Sequence, residues 1–192
     1  MENKTFTISV YSENNLGLLN RISGVFLKRH INIISLNVSE SEIENVSKFI
    51  IVVHTTEKWV RNIVGQIEKQ IEVIKTFYHT DEETIFLENA IFKIDSALLF
   101  DEKQIQNIIK ESNSEIVTVS RDFFVISKSG KRSDINDLYN KLKPFGIMQF
   151  VRSGRISVSK EKMQISLLLE ELKNKSNFDK NKFYTPKDIA NI

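Results

Sequence analysis

Cysteine is absent from this chain, and that one absence removes disulfides, thiolate catalysis, zinc fingers and iron–sulfur clusters together. Long apolar runs are missing too, since no window approaches the roughly 20 residues that a membrane-spanning helix requires. The N-terminal run MENKTFTISVYSENN alternates polar with apolar residues and lacks the apolar core of a signal peptide, so a cytoplasmic protein is expected. Charge of one sign is scarce: 27 Lys and Arg against 25 Asp and Glu leave a net charge of +2. That balance, with no basic block, argues against a nucleic-acid binder. What remains, 41% hydrophobic and 27% charged residues in 192, is the composition of a soluble folded chain with one ordinary domain or two small ones.

Catalytic constellations are also lacking. His30, His54 and His79 stand at no metal-ligand spacing, so no metal site is expected. The run VISKSGKRS approaches a phosphate loop, but Val125 replaces its first glycine and Arg132 its magnesium-binding hydroxyl. There is no G-x-S-x-G and no H-E-x-x-H. The acidic pairs Glu82–Glu83 and Glu170–Glu171 are adjacent, which on regular structure points them apart and makes them solvated charge.

What is present is a repeated order of elements. Phe6, Ile8 and Val10 alternate along a strand from Thr5 to Tyr11, and the stretch Glu13 to Leu36 then organises the first half. Within it Leu18, Leu19, Ile22, Val25 and Phe26 form one apolar helical stripe. Asn14 or Asn15 is expected to cap that helix and Gly17 to allow close backbone approach, a turn that can hold an anion. Strands at Ile31–Val38 and Phe49–His54, a helix with Val60, Ile63, Val64 and Ile67, and a strand at Ile71–Tyr78 complete βαββαβ. The run HTDEET reads as a linker, and the order then repeats. Its parts are a strand at Phe86–Ile94, a helix capped by Asp101 with Ile105, Ile108 and Ile109, and strands at Glu115–Ser120 and Phe123–Ser127. A helix with Ile135, Leu138, Tyr139 and Leu142, ended by Pro144 and Gly146, and a strand at Ile147–Val151 close it. The expected fold is α+β: two tandem ferredoxin-like units over residues 1–80 and 81–159, then a tail over 160–192 with one short helix on Ile165, Leu168, Leu169 and Leu172 and a loosely held end. An RNA-recognition sheet shares this strand order, but Lys48–Val53 and Arg121–Val125 lack its glycines and outward aromatics.

At ENNLGLLNRISGVFLKRHINIISLNV the chain resembles the regulatory (small) subunits of acetolactate synthase, also called acetohydroxyacid synthase. Glu13, Asn14, Gly17, Leu19 and Arg21 match the family's E-N-x-x-G-x-L-x-R run, and Arg29, Asn32, Ile33, Ser35 and Leu36 match its R-G-x-N-I-x-S-L run. Arg152, Ser153 and Gly154 match its closing R-S-G, so the resemblance covers about residues 3 to 160. His30 stands where the family has glycine, and Leu16 where a small or polar residue is usual.

The resemblance implies an ACT domain in the first unit and a non-catalytic chain of branched-chain amino acid biosynthesis. Its expected partner is the acetolactate synthase catalytic (large) subunit, to which thiamine diphosphate, Mg and FAD belong, this chain itself holding no cofactor. A homodimer through the ACT domain is implied, with a branched-chain amino acid, usually valine, held where two ACT domains meet, and with no nucleic acid or membrane partner. Carried over residue by residue, the ligand site is Asn14, Gly17, Leu18, Asn32 and Ile33, with Asn32 contributed by the neighbouring protomer and Leu18 and Ile33 as an apolar wall. On the residues alone Asn14 and Gly17 read first as a helix cap and a turn glycine. Arg152, Gly154 and Arg155 are either a partner contact or the solvated ends of a strand pair. A stand-alone amino-acid-sensing ACT protein is the alternative reading.

Overall fold

The structure is a computed structural model and describes residues 2–162 and 164–175. The chain divides into two compact units, Met1–Ile85 with the chain from Ser157 onward, and Phe86–Ile156. In the first unit β1 (Lys4–Glu13), α1 (Leu18–Leu27), β2 (Ile33–Glu40), β3 (Val46–Thr55), α2 (Glu57–Ile67) and β4 (Val73–Thr80) form an antiparallel sheet of order β2-β3-β1-β4. The second unit continues with β5 (Thr84–Asp95), α3 (Ala97–Asp101), α4 (Lys103–Glu111), β6 (Glu115–Val119), β7 (Phe123–Gly130), α5 (Arg132–Leu142) and β8 (Gln149–Arg152). Its strand path, β6-β7-β5-β8, is the same order again.

Each core follows from the two periodicities. Alternate residues of β1 and β3 (Phe6, Ile8, Val10; Phe49, Ile51, Val53) meet Leu18, Ile22, Val25 and Phe26 of α1 and Val60, Ile63, Val64 and Ile67 of α2. Leu19, expected in the α1 stripe, is instead exposed, because it lies about 100° around the helix from Leu18. The second unit packs Ala90, Phe92, Ile94, Phe124 and Ile126 against Ile105, Ile109, Ile135, Leu138 and Leu142.

Three local expectations are corrected. HTDEET is a tight turn rather than a linker: the Glu83 carboxylate accepts from the Thr80 N–H at 2.7 Å and the Thr80 hydroxyl at 2.9 Å, and β5 begins at once. Asp101 ends the unforeseen short helix α3, and the residue at the α4 N-cap is Glu102, with no side-chain cap bond. The chain after Val151 also forms a strand, β9 (Ile156–Ser159). Helix α6 (Ile165–Lys175) packs on the first unit, with Leu169 buried among Tyr11, Val46 and Phe77. The expected loosely held end lies outside the described residues.

Helices α1 and α4 end in the same way. The N–H groups of His30 and Ile31 return to the carbonyls of Leu27 and Phe26, and those of Asn113 and Ser114 to Lys110 and Ile109. Both are Schellman closures, which require a left-handed residue, and the two residues are His30 (φ 54°) and Asn113 (φ 50°). The family's glycine therefore answers a real backbone demand that this chain meets with histidine. Replacing His30 by glycine is expected to raise stability by about 1 kcal/mol, and Asn113→Gly by less because asparagine tolerates this region. Urea midpoints at unchanged m-value read the difference.

The Thr80 bonds hold the exposed Glu83 carboxyl below its ordinary value of 4.5. A carboxyl depressed on folding stabilises above its unfolded pKa, and the contribution disappears as pH falls through the folded one. Acid melts from pH 6 to pH 3 should show a small loss of stability that Glu83→Gln lacks.

Candidate functional site

The β1–α1 turn is open at its backbone. Arg21 N–H makes the first helical bond, to the Gly17 carbonyl at 3.2 Å, so the N–H groups of Leu18, Leu19 and Asn20 precede the helical ladder. Gly17 occupies the N-cap position with φ 79°, there is no side-chain cap bond, and no acidic residue lies in the first turn. The expected asparagine cap is therefore not made. Asn15 donates instead to Glu13 Oε2 at 3.1 Å, and the Asn14 N–H bonds the Asn45 carbonyl at 3.3 Å, leaving the Asn14 side chain exposed. Arg21 is tied to Glu72 at 2.6 Å. The turn thus keeps three N–H groups of a helix start for an anion, the geometry and dipole direction that suit a carboxylate.

The five residues expected at the ligand divide into two groups. Asn14, Gly17 and the Leu18 N–H share the turn; the Leu18 side chain is buried in the core, so an apolar wall there would come from the exposed Leu16. Asn32 and Ile33 stand at the start of β2, beyond the ten residues of α1, a helix about 15 Å long. A single protomer therefore holds the two groups at opposite ends of α1. Asn32 is exposed, and β2 is an edge strand of the first sheet.

The R-S-G segment is bound within the second unit. Glu88 is 3% exposed; Arg132 donates to it through Nη2 at 2.9 Å and Nε at 3.1 Å, and Arg152 Nε pairs with its second oxygen at 3.5 Å. Arg152 also donates to Asn136 at 2.9 Å. Ser153 exchanges two bonds with Asn89, its N–H to the Asn89 carbonyl and the Asn89 N–H to its hydroxyl, and then donates to the Gly154 carbonyl. Arg155 is buried with its guanidinium 3.6 Å from the Phe86 ring centroid. Arg132, the residue that spoils the phosphate-loop pattern, is thus one arm of this clamp. Glu88 was missed in the sequence, although a signal existed: it shares parity with Ala90, Phe92 and Ile94 and so had to point inward.

Among the described residues no cluster of His, Asp and Glu could hold a metal ion, and no helix is long and apolar enough to cross a membrane. Two ferredoxin-like units, the first with an open backbone turn at the start of α1, define an ACT-type regulatory protein. Residues 8–75 match the family described as AHAS small subunit-like ACT domain, and residues 87–161 the family described as small subunit of acetolactate synthase. The acetolactate synthase small subunit of Bacillus subtilis is 36% identical over 152 residues, 79% of this chain and 88% of that one. The probable small subunit of Archaeoglobus fulgidus is 31% identical over 154 residues, 79% of this chain and 94% of that one. The crystal structure of the small subunit from Thermotoga maritima aligns with a TM-score of 0.74 at 25% identity, covering 83% of this chain and 99% of that one. The chain belongs to the acetolactate synthase small subunit family, and it is a non-catalytic regulatory chain of branched-chain amino acid synthesis.

The clamp makes a prediction. Removing Glu88 strands two guanidinium groups, so Glu88→Ala should cost about 3–5 kcal/mol. Arg152→Ala leaves the Arg132 fork in place and should cost about 1 kcal/mol or less in urea unfolding. A loss of partner activation in Arg152→Ala at matched folded protein would add a docking role to the structural one.

Proposed function

We propose that this chain docks on the thiamine-diphosphate-dependent catalytic subunit of acetolactate synthase, raises its activity, and makes it sensitive to valine. Thiamine diphosphate, Mg and FAD belong to that larger chain, and the complex works in the cytoplasm. The observation that carries the effector site is the division of its residues between the two ends of α1. β1 is antiparallel to β3 and β3 to β2, so β2 runs in the direction of β1 and finishes at the end of the sheet where the α1 turn lies. If two β2 edges pair antiparallel about a twofold axis, the start of one β2 comes beside the finish of the other. That places the partner copy's Asn32 and Ile33 near the turn of Asn14 and Gly17. A homodimer thereby covers the exposed edge and assembles two complete sites.

In such a site the carboxylate of valine takes the N–H groups after Gly17, the asparagine oxygens accept from its ammonium, and Ile33 with Leu16 borders the branched side chain. The partition between docking and sensing is testable. Asn14→Ala and Asn32→Ala should each weaken valine inhibition roughly five- to 150-fold, from about 1–3 kcal/mol per lost polar partner, while activation of the catalytic subunit persists. The assay is pyruvate condensation by the purified catalytic subunit with added chain. No rise in activity and no co-elution would overturn the regulatory reading, and unchanged valine titrations in both variants would remove the site.

A further inference from the structure

The face of the first sheet that turns away from α1 and α2 is assembled by cross-strand register. Tyr11 stands opposite Lys48 of β3, and Ser9 and Thr7 stand opposite Phe77 and His79 of β4. Helix α6 roofs part of this face through Ile165 and Leu169, and the Ser166 hydroxyl donates to Glu42 at 3.2 Å. The roof does not fill the space beneath it. A cavity of about 470 Å³ remains, bordered by Tyr11, Lys48, Phe77, His79, Ile165 and Leu167 among others.

Two polar groups that border that cavity have no hydrogen bond or ion pair to a described residue. Tyr11 is 1% exposed, yet its phenol has no hydrogen-bond partner among the described residues. A buried phenol ordinarily finds one. Lys48 is half-buried and makes no ion pair among the described residues; its ammonium lies over the Tyr11 ring, 5.3 Å from the centroid. The phenol hydroxyl and the ammonium are both donors, and a single carboxylate can accept from the two. His79 is already engaged with the Ser159 hydroxyl at 3.3 Å. Two carboxylates, Glu42 and Glu161, also border the space and repel any anion, which limits the guest to the one negative charge that contact with Lys48 neutralises. The apolar part of the lining is Phe77, Val158, Ile165 and Leu167, with Phe77 edge-on to Tyr11 at 6.3 Å between ring centroids, and serines, Thr84 and Gln164 make up the rest.

We propose that this cavity is a second small-molecule site, separate from the α1–β2 effector site. It takes a monocarboxylate with a compact branched or aromatic body, the carboxylate bonded by Lys48 and Tyr11 and the body lying on Phe77 and Leu167. The family-model match ends at residue 161, and the roof of the site is the helix α6 that follows it.

Calorimetric titration of the full chain with phenylacetate and with 3-methylbutanoate, beside valine, tests the assignment. Saturable binding of either acid is expected, weakened about tenfold or more in Lys48→Met and in Tyr11→Phe, as befits one charge-assisted bond each, and unaltered in Asn32→Ala. Matched thermal melts confirm that both variants are folded. Absence of binding by both acids overturns the proposal, as does binding that survives Lys48→Met and Tyr11→Phe. Loss in Asn32→Ala would move the acids to the effector site and overturn it as well, while failure of valine alone to bind would count against the effector reading and leave this one standing.

Discussion

Pairing of the first strand along both edges is the constraint on which the first unit depends. β1 bonds β3 in unbroken register from Lys4↔Thr55 to Glu13↔Val46 and β4 on its other side. Its faces are covered as well, by α1 and α2 on one side and in part by α6 on the other. A strand so enclosed has no freedom to slip, since a shift of one residue would exchange Ile8 and Val10 for Ser9 and Tyr11. The fixed register delivers Glu13 to one end of the sheet and so sets where the α1 turn opens. In the second unit β5 has the same central position, between β7 and β8.

The two units share a topology and spend their polar groups differently. The first opens α1 on a left-handed glycine, with three N–H groups ahead of the helical ladder. The second buries a carboxylate and brings in two arginines to neutralise it. The same strand order therefore carries an open backbone turn in one unit and a buried ion-pair clamp in the other. The difference lies in a few polar residues, not in the apolar pattern.

That distinction also explains what could be read from the chain alone. Elements with a clean period were legible: the buried set of α2 is the one its spacing dictates, and the Pro144–Gly146 stop of α5 falls where expected, with Gly146 at φ 86°. Polar bonding was less legible because it depends on distant partners. Asn14 and Asn15 look like caps, but Gly17 takes the N-cap position and the Asn15 amide donates to Glu13 instead. HTDEET looks like a linker because a turn closed by Thr80 and Glu83 has the same composition as a loose one. Of the candidate site, motif residues Asn14, Gly17 and Asn32 were visible in sequence, whereas their separation by the length of α1 required the fold.

The order of synthesis acquires a consequence from the way the first unit is split. Its sheet and two helices emerge first, but the segment bearing α6 follows only after Phe86–Ile156 has been made. At about 5–20 residues per second, translation of that intervening stretch takes roughly 4–14 s. For that interval Tyr11, Val46 and Phe77 stand uncovered on the ribosome-bound nascent chain, an apolar face that a chaperone or another nascent copy can reach before its own roof arrives.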